Sequence, residues 1–557
     1  MPISPKAKGK LKVTPHSTEA SAYSRFSDSS SEDDDLIIYP PRDAQHDGSE
    51  NDGYELSQER EGLLGRSKDR ATFESMGVND GKRRQGWINI SGFSLPRPLI
   101  YLLSIPPTLL FLSFLARTFS SSANARSPTL SNGTHPFHPT VLLISLDGFR
   151  PSYLSSHYDL LPNLLSLSTS EWGLRAESMQ PVFPTLTFPN HWALMTGLHP
   201  ESHGIIANDF WDPQFPVKSL EGDDSQGAQF VYVKEDKSWD SNWWWGEPIW
   251  SVVERAKRKS AVIMWPGPPI TSAGISPSYF VPYRKMKPTD KVHQILSYLD
   301  LPIEDRPEFI ASYFPEIDQS GHKGGPKSGG VNNSLSLCDD MIGELRSGLQ
   351  DRNLEGAIDV VIVSDHGMAE TSNDRVIYLD DILGDEGVDA IEHKDGWPSV
   401  GLRFKEGMDT DHYLQLLLDA AESSNGTFAV YTHDTMPERW HFSHGHRIAP
   451  IYIVPTLGWA ITDHHEHEVL FDGDYRPKGN HGYDNTFPEM QAIFVAQGPF
   501  ASQLKSSASS EVILSRDPPI MKSFKNLEIF SLVTGLLGLS SIEPSHNGTV
   551  GFWDNLV

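Results

Sequence analysis

The chain has 557 residues, a single cysteine and a formal net charge of -27 at pH 7. Such an acidic surface argues against a protein that coats nucleic acid, whose phosphates are held by basic faces. An anionic substrate would instead be attracted locally, by a bound metal ion. With Cys338 alone, no disulfide framework can form within the chain.

The first 97 residues are predicted to form a disordered cytosolic tail. Residues 1–81 are rich in Ser, Asp, Glu and Gly, and the run at 27–35 contains only serine and acidic residues. Such a composition cannot bury enough apolar surface to fold. Serines beside acidic residues are candidate phosphorylation sites, but an unmodified solvated tail is the simpler interpretation.

Residues 98–116 carry no charged side chain, and this length is close to the roughly 20 apolar residues that span a bilayer. The segment predicts a transmembrane signal anchor, because it lies too far from residue 1 to be a cleaved signal peptide. More basic residues precede it than follow it. We therefore expect a type II protein with its N-terminus in the cytosol. A buried soluble helix is the alternative interpretation.

The chain after this segment is expected to lie in the secretory pathway, the vacuole or at the cell surface. N-glycosylation sequons at Asn132, Asn332, Asn425 and Asn547 all follow the apolar segment, although each tripeptide alone also arises by chance. Residues 117–137 are rich in Ser, Asn and Pro and predict a stalk. Residues 138–557 predict one large domain, because the candidate site residues extend from residue 147 to residue 481.

Within that domain, short apolar runs alternate with helical patterns. The runs at 141–146, 260–265, 309–314, 359–364 and 491–495 predict buried strands. Leu337, Met341, Leu345 and Leu349 recur every four residues, as on one face of a helix. This alternation predicts an α/β fold: a three-layer α/β/α sandwich around a mostly parallel sheet, which binds ligands at the carboxyl ends of its strands.

Three carboxylates follow predicted strands and should meet at that edge of the sheet. Asp147, Asp318 and Asp365 each lie at or just after a strand end, and His366 follows directly. His322 lies four residues after Asp318, but the intervening glycine predicts a loop. Carboxylate and imidazole are ligands that zinc accepts, so a metal site is expected. The alternatives are an Asp that caps a turn and an Asp-turn without a metal.

A further candidate ligand is His481, which lies in a glycine-rich context between Gly479-Asn480 and Gly482. A solvated loop histidine is the alternative for this residue. Thr187 precedes a helical pattern at 191–196, and the free N–H groups at a helix N-terminus favour a phosphoryl group. A threonine hydroxyl is a nucleophile only when a base or a metal ion activates it.

These residues lie in motifs that resemble the ectonucleotide pyrophosphatase/phosphodiesterases of the alkaline phosphatase superfamily. The resemblance covers residues 138–557 and keeps the family's motif order: Ser-Leu-Asp-Gly-Phe-Arg at 145–150, Thr-Phe-Pro-Asn-His at 187–191, Trp-Pro-Gly at 265–267, Ser-Asp-His-Gly-Met at 364–368 and His-Gly-Tyr-Asp-Asn at 481–485. It implies an alkaline phosphatase-like fold and a zinc-dependent hydrolase. Nucleoside triphosphates and nucleotide phosphodiesters would yield nucleoside 5'-monophosphates through a phosphothreonine intermediate.

The resemblance also implies the residue roles. Two zinc ions would be held, one by Asp318, His322 and His481 and the other by Asp147, Asp365 and His366, with Thr187 as nucleophile and ligand of the second. The Phe188 N–H and the Asn208 side chain would stabilise the oxyanion, and Phe188 and Tyr283 would sandwich the base.

Other readings of the site stay open at this point. A lipid head-group phosphodiesterase acting on choline or lysophospholipid substrates shares the ligands, and an inactive scaffold or receptor shares the fold. The partner is expected to be a small nucleotide or phosphodiester. Residues 215–240 predict a loop, the tryptophans at 243–245 and Trp250 favour a core cluster, and the histidine-rich runs near 444–446 and 464–467 predict surface loops. Residues 526–539 resemble the family's closing helix.

Overall fold

A computed structural model describes residues 87–90, 93–96, 129–216, 226–506, 513–514 and 516–553. The predicted membrane anchor at 98–116 and most of the predicted tail lie outside these residues. Among the described residues, no helix combines the length and the apolar character needed to cross a bilayer. Within the predicted tail, Trp87–Ile90 pairs antiparallel with Phe93–Pro96.

Two larger sheets contain strands β1 to β11. In chain order these are β1 Val141–Leu146, β2 Gly173–Arg175, β3 Ser260–Ile263, β4 Tyr279–Val281, β5 Phe309–Phe314, β6 Asp359–Val363, β7 Ile391–Asp395, β8 Val400–Phe404, β9 Phe428–Thr432, β10 Ile451–Pro455 and β11 Phe494–Gln497. The central sheet has the order β4-β3-β5-β1-β6-β11-β2, and the second sheet has the order β7-β8-β10-β9.

The central sheet is mixed. Strands β4, β3, β5, β1 and β6 pair in parallel, whereas β11 is antiparallel to both β6 and β2. The apolar runs predicted β1, β3, β5, β6 and β11 but not the short edge strands β4 and β2. They did not predict the direction of β11, since a buried run reads the same in either direction, and β11 begins at Phe494 instead of residue 491. The third strand ends at Ile263, before the predicted residue 265, because Met264 takes a positive φ of 58° that leaves the extended conformation.

Helices cover both faces of the central sheet and one face of the second. In chain order they are α1 Tyr153–Ser156, α2 Pro162–Thr169, α3 Thr187–Thr196, α4 Pro200–His203, α5 Glu235–Ser238, α6 Ile249–Arg255, α7 Pro288–Leu299, α8 Glu316–Gly324, α9 Gly329–Asp351, α10 Leu379–Asp389, α11 Thr410–Ser423, α12 His464–Phe471, α13 Pro499–Ser506 and α14 Glu528–Leu536. The last helix falls within the predicted closing helix.

Alternate residues of the central strands face two separate cores. Leu143 packs in one cluster with residues of α3, α6 and α14, whereas its neighbour Ile144 packs in another with residues of α2, α7 and α9. On α9, Met341, Leu345 and Leu349 are buried as the pattern predicted. Leu337 is 41% exposed, because a strict step of four drifts away from the face of a helix with 3.6 residues per turn. The three-layer arrangement is therefore observed.

The second sheet lies in the stretch between β6 and β11, and its strands were not predicted. Its pairs are antiparallel, and it packs against α10 and α11 through buried residues such as Leu383 and Leu417. Asp395 at the end of β7 accepts a hydrogen bond from the Trp211 N–H at 2.7 Å. This bond joins the second sheet to the strand that follows Asn208.

Several predicted loops are ordered elements. Within 215–240, Asp209–Pro216 pairs with Gln226–Val231, so the loop prediction is wrong for the described part of that stretch. The histidine-rich run at 464–467 lies on α12 instead of a loop, because the Asp463 side chain accepts from the Glu466 N–H and caps the helix. Leu130–Ser131 pairs with Pro136–Phe137. Phe137 is buried, and the Arg306 Cζ atom lies 3.8 Å from the centroid of its ring. The folded domain therefore begins within the predicted stalk.

Shorter strand pairs complete the domain. They are Ala369–Glu370 with Gly479–Asn480, Val376–Tyr378 with Ala460–Thr462, Ile513–Leu514 with Ile520–Met521, and Phe524–Lys525 with Met179–Gln180.

The four sequon asparagines lie in different environments. Asn425 is exposed in a turn with a φ of 54°, and Asn547 is also exposed. The Asn132 amide donates to the Arg352 carbonyl oxygen at 2.8 Å, and Asn332 lies in the first turn of α9.

Candidate active site

The site lies at the carboxyl edge of the central sheet. Asp147 follows β1, Asp365 follows β6 after one intervening residue, and Asp318 lies on α8, just after β5. Because these three strands are adjacent and parallel, their carboxyl ends bring the three carboxylates together. All three side chains are buried.

Asp318 and His322 lie on helix α8, so the loop predicted for them is wrong. Gly321 does not interrupt the helix. A Cβ at this position would lie 2.8 Å from the Met368 Cε atom, so the glycine permits close packing against the segment that follows β6. The spacing of four residues then places both side chains one turn apart on the same face of the helix.

An outer set of three candidate ligands consists of Asp318, His322 and His481. Asp318 Oδ2 lies 3.3 Å from His322 Nε2, and Asp318 Oδ1 lies 3.3 Å from His481 Nε2. The two imidazole Nε2 atoms are 3.0 Å apart. Three donor atoms from a helix and a distant loop thus converge on one point.

An inner set consists of Asp147, Asp365 and His366. His366 Nε2 lies 2.9 Å from Asp365 Oδ2, 3.5 Å from Asp147 Oδ1 and 3.2 Å from the Thr187 hydroxyl. His366 also stacks on His481 with ring centroids 3.6 Å apart. Its donor atom groups with Asp318 and His481 as well as with the inner carboxylates, so His366 lies between the two sets.

Main-chain carbonyls fix the orientation of all three imidazoles. The Nδ1 atoms of His322, His366 and His481 each lie 2.9 Å from a carbonyl oxygen, those of Gly479, Gly367 and Thr185 respectively. Each Nδ1–H therefore donates outward and leaves the Nε2 lone pair facing inward, as in histidines that bind metals. The imidazole lone pairs repel one another and repel the carboxylate oxygens, unless a cation lies between them.

The donor atoms fit a metal ion. Asp147 Oδ1, Asp318 Oδ1 and Asp365 Oδ2 are buried and have no hydrogen-bond partner, a costly arrangement unless a cation compensates them. A tetrahedral ion with bonds of about 2.0 Å separates its ligands by about 3.3 Å, and most donor distances within the two sets are near that value.

The surroundings shift the pKa values of the candidate ligands in different directions. Burial, reinforced by Asp365, raises the pKa of Asp147 well above its usual value. Burial alone would also raise the pKa of Asp365, but His366 and His191 hold it well below its usual value. Burial, together with His366 and His322, lowers the pKa of His481 well below its usual value. His481 is therefore a neutral imidazole, the form that binds a metal.

Thr187 is the first residue of α3, where N–H groups have no partner inside the helix. Its hydroxyl is in contact with His366, at the inner set. The Phe188 N–H, expected to bind an oxyanion, donates to Asn208 Oδ1 at 3.0 Å. Because the Phe188 N–H is already bonded to Asn208 Oδ1, the Asn208 side-chain NH₂ group is the donor left for a ligand. The same hydrogen bond fixes the orientation of that NH₂ group.

The two residues predicted to sandwich a base have different surroundings. Phe188 is half-buried, with its ring 5.2 Å from that of Tyr232 and 6.1 Å from that of Trp244. Tyr283 is 44% exposed, and its hydroxyl accepts from the Gln319 amide at 3.2 Å. Trp243, Trp244 and Trp250 are buried in the core as expected; Trp244 contributes to the wall behind Phe188.

Sequence reasoning missed two residues next to the site. His191 Nδ1 lies 2.8 Å from the Thr187 carbonyl oxygen and 3.3 Å from Asp365 Oδ2. The Tyr313 hydroxyl donates to Asp147. Tyr313 lies near the carboxyl end of β5, so the rule that located the carboxylates could have indicated it, whereas the contact of His191 with Asp365 depends on tertiary packing.

Comparison with known proteins identifies the family. The model of the type I phosphodiesterase/nucleotide pyrophosphatase family matches residues 141–484. An uncharacterized pyrophosphatase/phosphodiesterase of Schizosaccharomyces pombe is 37% identical over 76% of this chain and 81% of its own length. The chain belongs to this family. The resemblance is thus confirmed at the level of the family and of its enzyme class, hydrolases of phosphodiester and pyrophosphate bonds.

Relatives from animals are longer than the matched region. Ectonucleotide pyrophosphatase/phosphodiesterase family member 3 of Rattus norvegicus is 32% identical over 78% of this chain, but the match covers only 46% of that protein. An inactive Thr-to-Ala variant of murine ectonucleotide pyrophosphatase/phosphodiesterase 5 in complex with AMP matches with a TM-score of 0.61 and 29% identity. That match covers 75% of this chain and 100% of the murine chain, and it supports the alkaline phosphatase-like fold.

Proposed function

We propose that the chain hydrolyses nucleoside triphosphates and nucleotide phosphodiesters to nucleoside 5'-monophosphates, with Thr187 as the nucleophile. The observation that carries the proposal is the 3.2 Å distance between the Thr187 hydroxyl and His366 Nε2, between two sets of candidate metal ligands. Thr187 would attack, in line, the phosphorus that bears the nucleoside, and the bond to the leaving group would break, which releases pyrophosphate from a triphosphate or the alcohol from a phosphodiester. Water would then cleave the resulting phosphothreonine ester, release the nucleoside 5'-monophosphate and restore the threonine hydroxyl.

Two zinc ions are the cofactors proposed, one for each set. When bound, they would lower the pKa of the threonine hydroxyl and offset the negative charge of the substrate oxygens. The outer set would be Asp318, His322 and His481, and the inner set Asp147, Asp365 and His366 together with Thr187. Each carboxylate in these sets has a buried oxygen without a hydrogen-bond partner, and each imidazole is oriented by a main-chain carbonyl at Nδ1, which supports the assignment.

The chain's own groups would bind and orient the nucleotide. The N-terminus of α3 favours the phosphoryl group, and Asn208 would donate its amide to a phosphoryl oxygen. Phe188 and Tyr283 would stack on the base, since flat rings bury apolar area on both faces of a planar ligand. Binding of AMP by the murine structural neighbour supports a nucleotide as the substrate class.

The setting of the domain is part of the same proposal. We propose a type II membrane protein with residues 98–116 as anchor and the catalytic domain in the lumen or outside the cell, where glycans would be carried at Asn132, Asn332, Asn425 and Asn547. Of these, Asn425 has an environment that suits a glycan well, because it is exposed at a turn.

Substitution Thr187→Ala tests the nucleophile. We expect hydrolysis of 4-nitrophenyl-TMP to fall by about 10⁴-fold or more, as when a catalytic nucleophile is removed, while zinc content and thermal stability stay the same. Thr187→Ser keeps a hydroxyl and should keep measurable activity. If Thr187→Ala retains a tenth of the wild-type rate, Thr187 is not the nucleophile.

A substrate panel tests the substrate class. ATP, a dinucleoside polyphosphate and 4-nitrophenyl-TMP should be cleaved with similar kcat/KM, whereas choline phosphodiesters and 4-nitrophenyl phosphate should react far more slowly. A preference for the choline esters would contradict the nucleotide proposal and favour a lipid head-group phosphodiesterase of the same fold.

A further inference from the structure

Tyr313 lies in a buried contact with the inner set. It is the penultimate residue of β5, only 6% of its surface is exposed, and its hydroxyl donates a hydrogen bond to Asp147 Oδ2. The other carboxylate oxygen, Oδ1, is buried, lacks a hydrogen-bond partner and lies 3.5 Å from His366 Nε2. The hydroxyl therefore distinguishes the two oxygens of one carboxylate.

The phenol is itself held in place from several sides. Its ring packs edge-on against His191 with centroids 4.9 Å apart, and the Tyr313 carbonyl oxygen accepts from the buried Lys291 ammonium at 3.1 Å. Lys291 also contacts the Glu316 carboxylate at 3.3 Å, at the start of α8. These contacts restrict the position of Tyr313, so its hydroxyl can fix the carboxylate instead of following it.

We propose that Tyr313 is a positioning residue for the metal site: its hydroxyl holds the Asp147 carboxylate so that Oδ1 faces His366 and Thr187. This inference rests on the proposed function, since it assigns Asp147 as a ligand. A carboxylate whose outer oxygen is hydrogen-bonded has its orientation and basicity fixed before a metal binds. The ring centroid of Tyr313 also lies 6.3 Å from that of Tyr283, one of the two residues expected to stack on the base.

The test is Tyr313→Phe, which removes the hydroxyl and keeps the ring. We expect the zinc affinity of the inner site, measured by competition with a chelating dye, to fall about 10- to 100-fold. Near-saturating zinc should restore much of the lost kcat for 4-nitrophenyl-TMP, with KM changed little. Tyr153→Phe is the matched control, because Tyr153 is buried and its hydroxyl donates to the Pro326 carbonyl oxygen instead of to a ligand. It should bind zinc as the wild type does.

A conservative replacement keeps the inference testable if the phenylalanine variant folds poorly. 4-Aminophenylalanine at position 313, incorporated by codon suppression, retains an N–H donor at the same place and should restore zinc affinity. Equal zinc affinity of wild type and Tyr313→Phe would overturn the inference but leave the proposed function intact. Absence of zinc binding by the wild type would instead overturn the proposed function.

Discussion

The two sets of candidate ligands differ in how deeply they are buried and in what supports them. In the inner set, the side chains of Asp365 and His366 are 0% exposed. In the outer set, the side chains of His322 and Asp318 are 23% and 12% exposed. The inner set touches the candidate nucleophile. The outer set combines these two partly exposed side chains of α8 with His481, whose side chain is only 3% exposed.

This difference indicates that the two sets have different roles, one beside the candidate nucleophile and the other nearer to solvent. A fixed, water-excluded environment would favour attack by the proposed nucleophile Thr187. The inner carboxylates lie at strand ends and contact Tyr313 and His191. A set that faces incoming substrate and departing product must stay accessible. His366 contributes to both groupings of donor atoms and should therefore be the residue on which both depend.

Among the variants that compare the two sets, His366→Ala should have the largest effect and His322→Ala a smaller one. Loss of His366 removes a ligand that both groupings share, so hydrolysis of 4-nitrophenyl-TMP should fall by at least about 10³-fold, and most of the zinc should be lost. Loss of His322 affects only the outer set. Its activity should fall by about 10²-fold, and about one zinc ion per chain should remain, as measured by elemental analysis.

The control for this pair is His464→Ala, since His464 lies on α12 and is half-exposed in contact with Asp380, a surface pairing outside both sets. This variant should keep full zinc content and activity. Equal zinc loss in His366→Ala and His322→Ala would show that the two sets are a single site, and the comparison between them would fail.

Zinc removal should separate the two sets in time. Because the outer ligands are more exposed, a chelator such as EDTA should extract one ion quickly and the other slowly, with activity lost in the first phase. The metal-free protein should unfold at a lower temperature, since a ligand bound only by the folded state at 100 times its Kd contributes about 2.7 kcal/mol. His322→Ala should lack the fast phase; a single-phase release from wild type would contradict the distinction.

The same contrast explains how far the sequence predicted the molecule. The inner carboxylates follow strands that are largely apolar, so the rule that parallel strands end at one edge placed Asp147 and Asp365 correctly. The outer set depends on a helix that contains a glycine, and a glycine chosen for close packing against Met368 cannot be told from a loop glycine by sequence alone.

The sequence analysis did not predict the second sheet or the contacts that pair its strands. Strands β9 and β10 of the second sheet are mainly aromatic and β-branched runs without charge or glycine, so the sequence could have indicated them. Strand β7 carries four consecutive charged or histidine residues and has no such signal. The pairing of this sheet is set by tertiary packing over α10 and α11. The roles of the site residues and the membrane anchor are still predictions.

The smallest effect is expected from Gly148→Ala. Gly148 follows Asp147 of the inner set in sequence and packs against Asp318 of the outer set. Gly148 has a positive φ of 70°, and a Cβ there would lie 3.0 Å from the Asp318 Cα atom. The left-handed conformation costs about 1–2 kcal/mol for alanine, and the added methyl must also displace α8. Gly407→Ala is the matched control, because Gly407 has a φ of 84° and no neighbour within 4 Å of a Cβ. Both variants should lose stability in chemical denaturation, Gly148→Ala the more because of its contact with α8, but only Gly148→Ala should weaken zinc binding, and it should do so in the outer set. Equal zinc binding by the two variants would mean that α8 moves without disturbing Asp318, so the inner and outer sets would be mechanically independent.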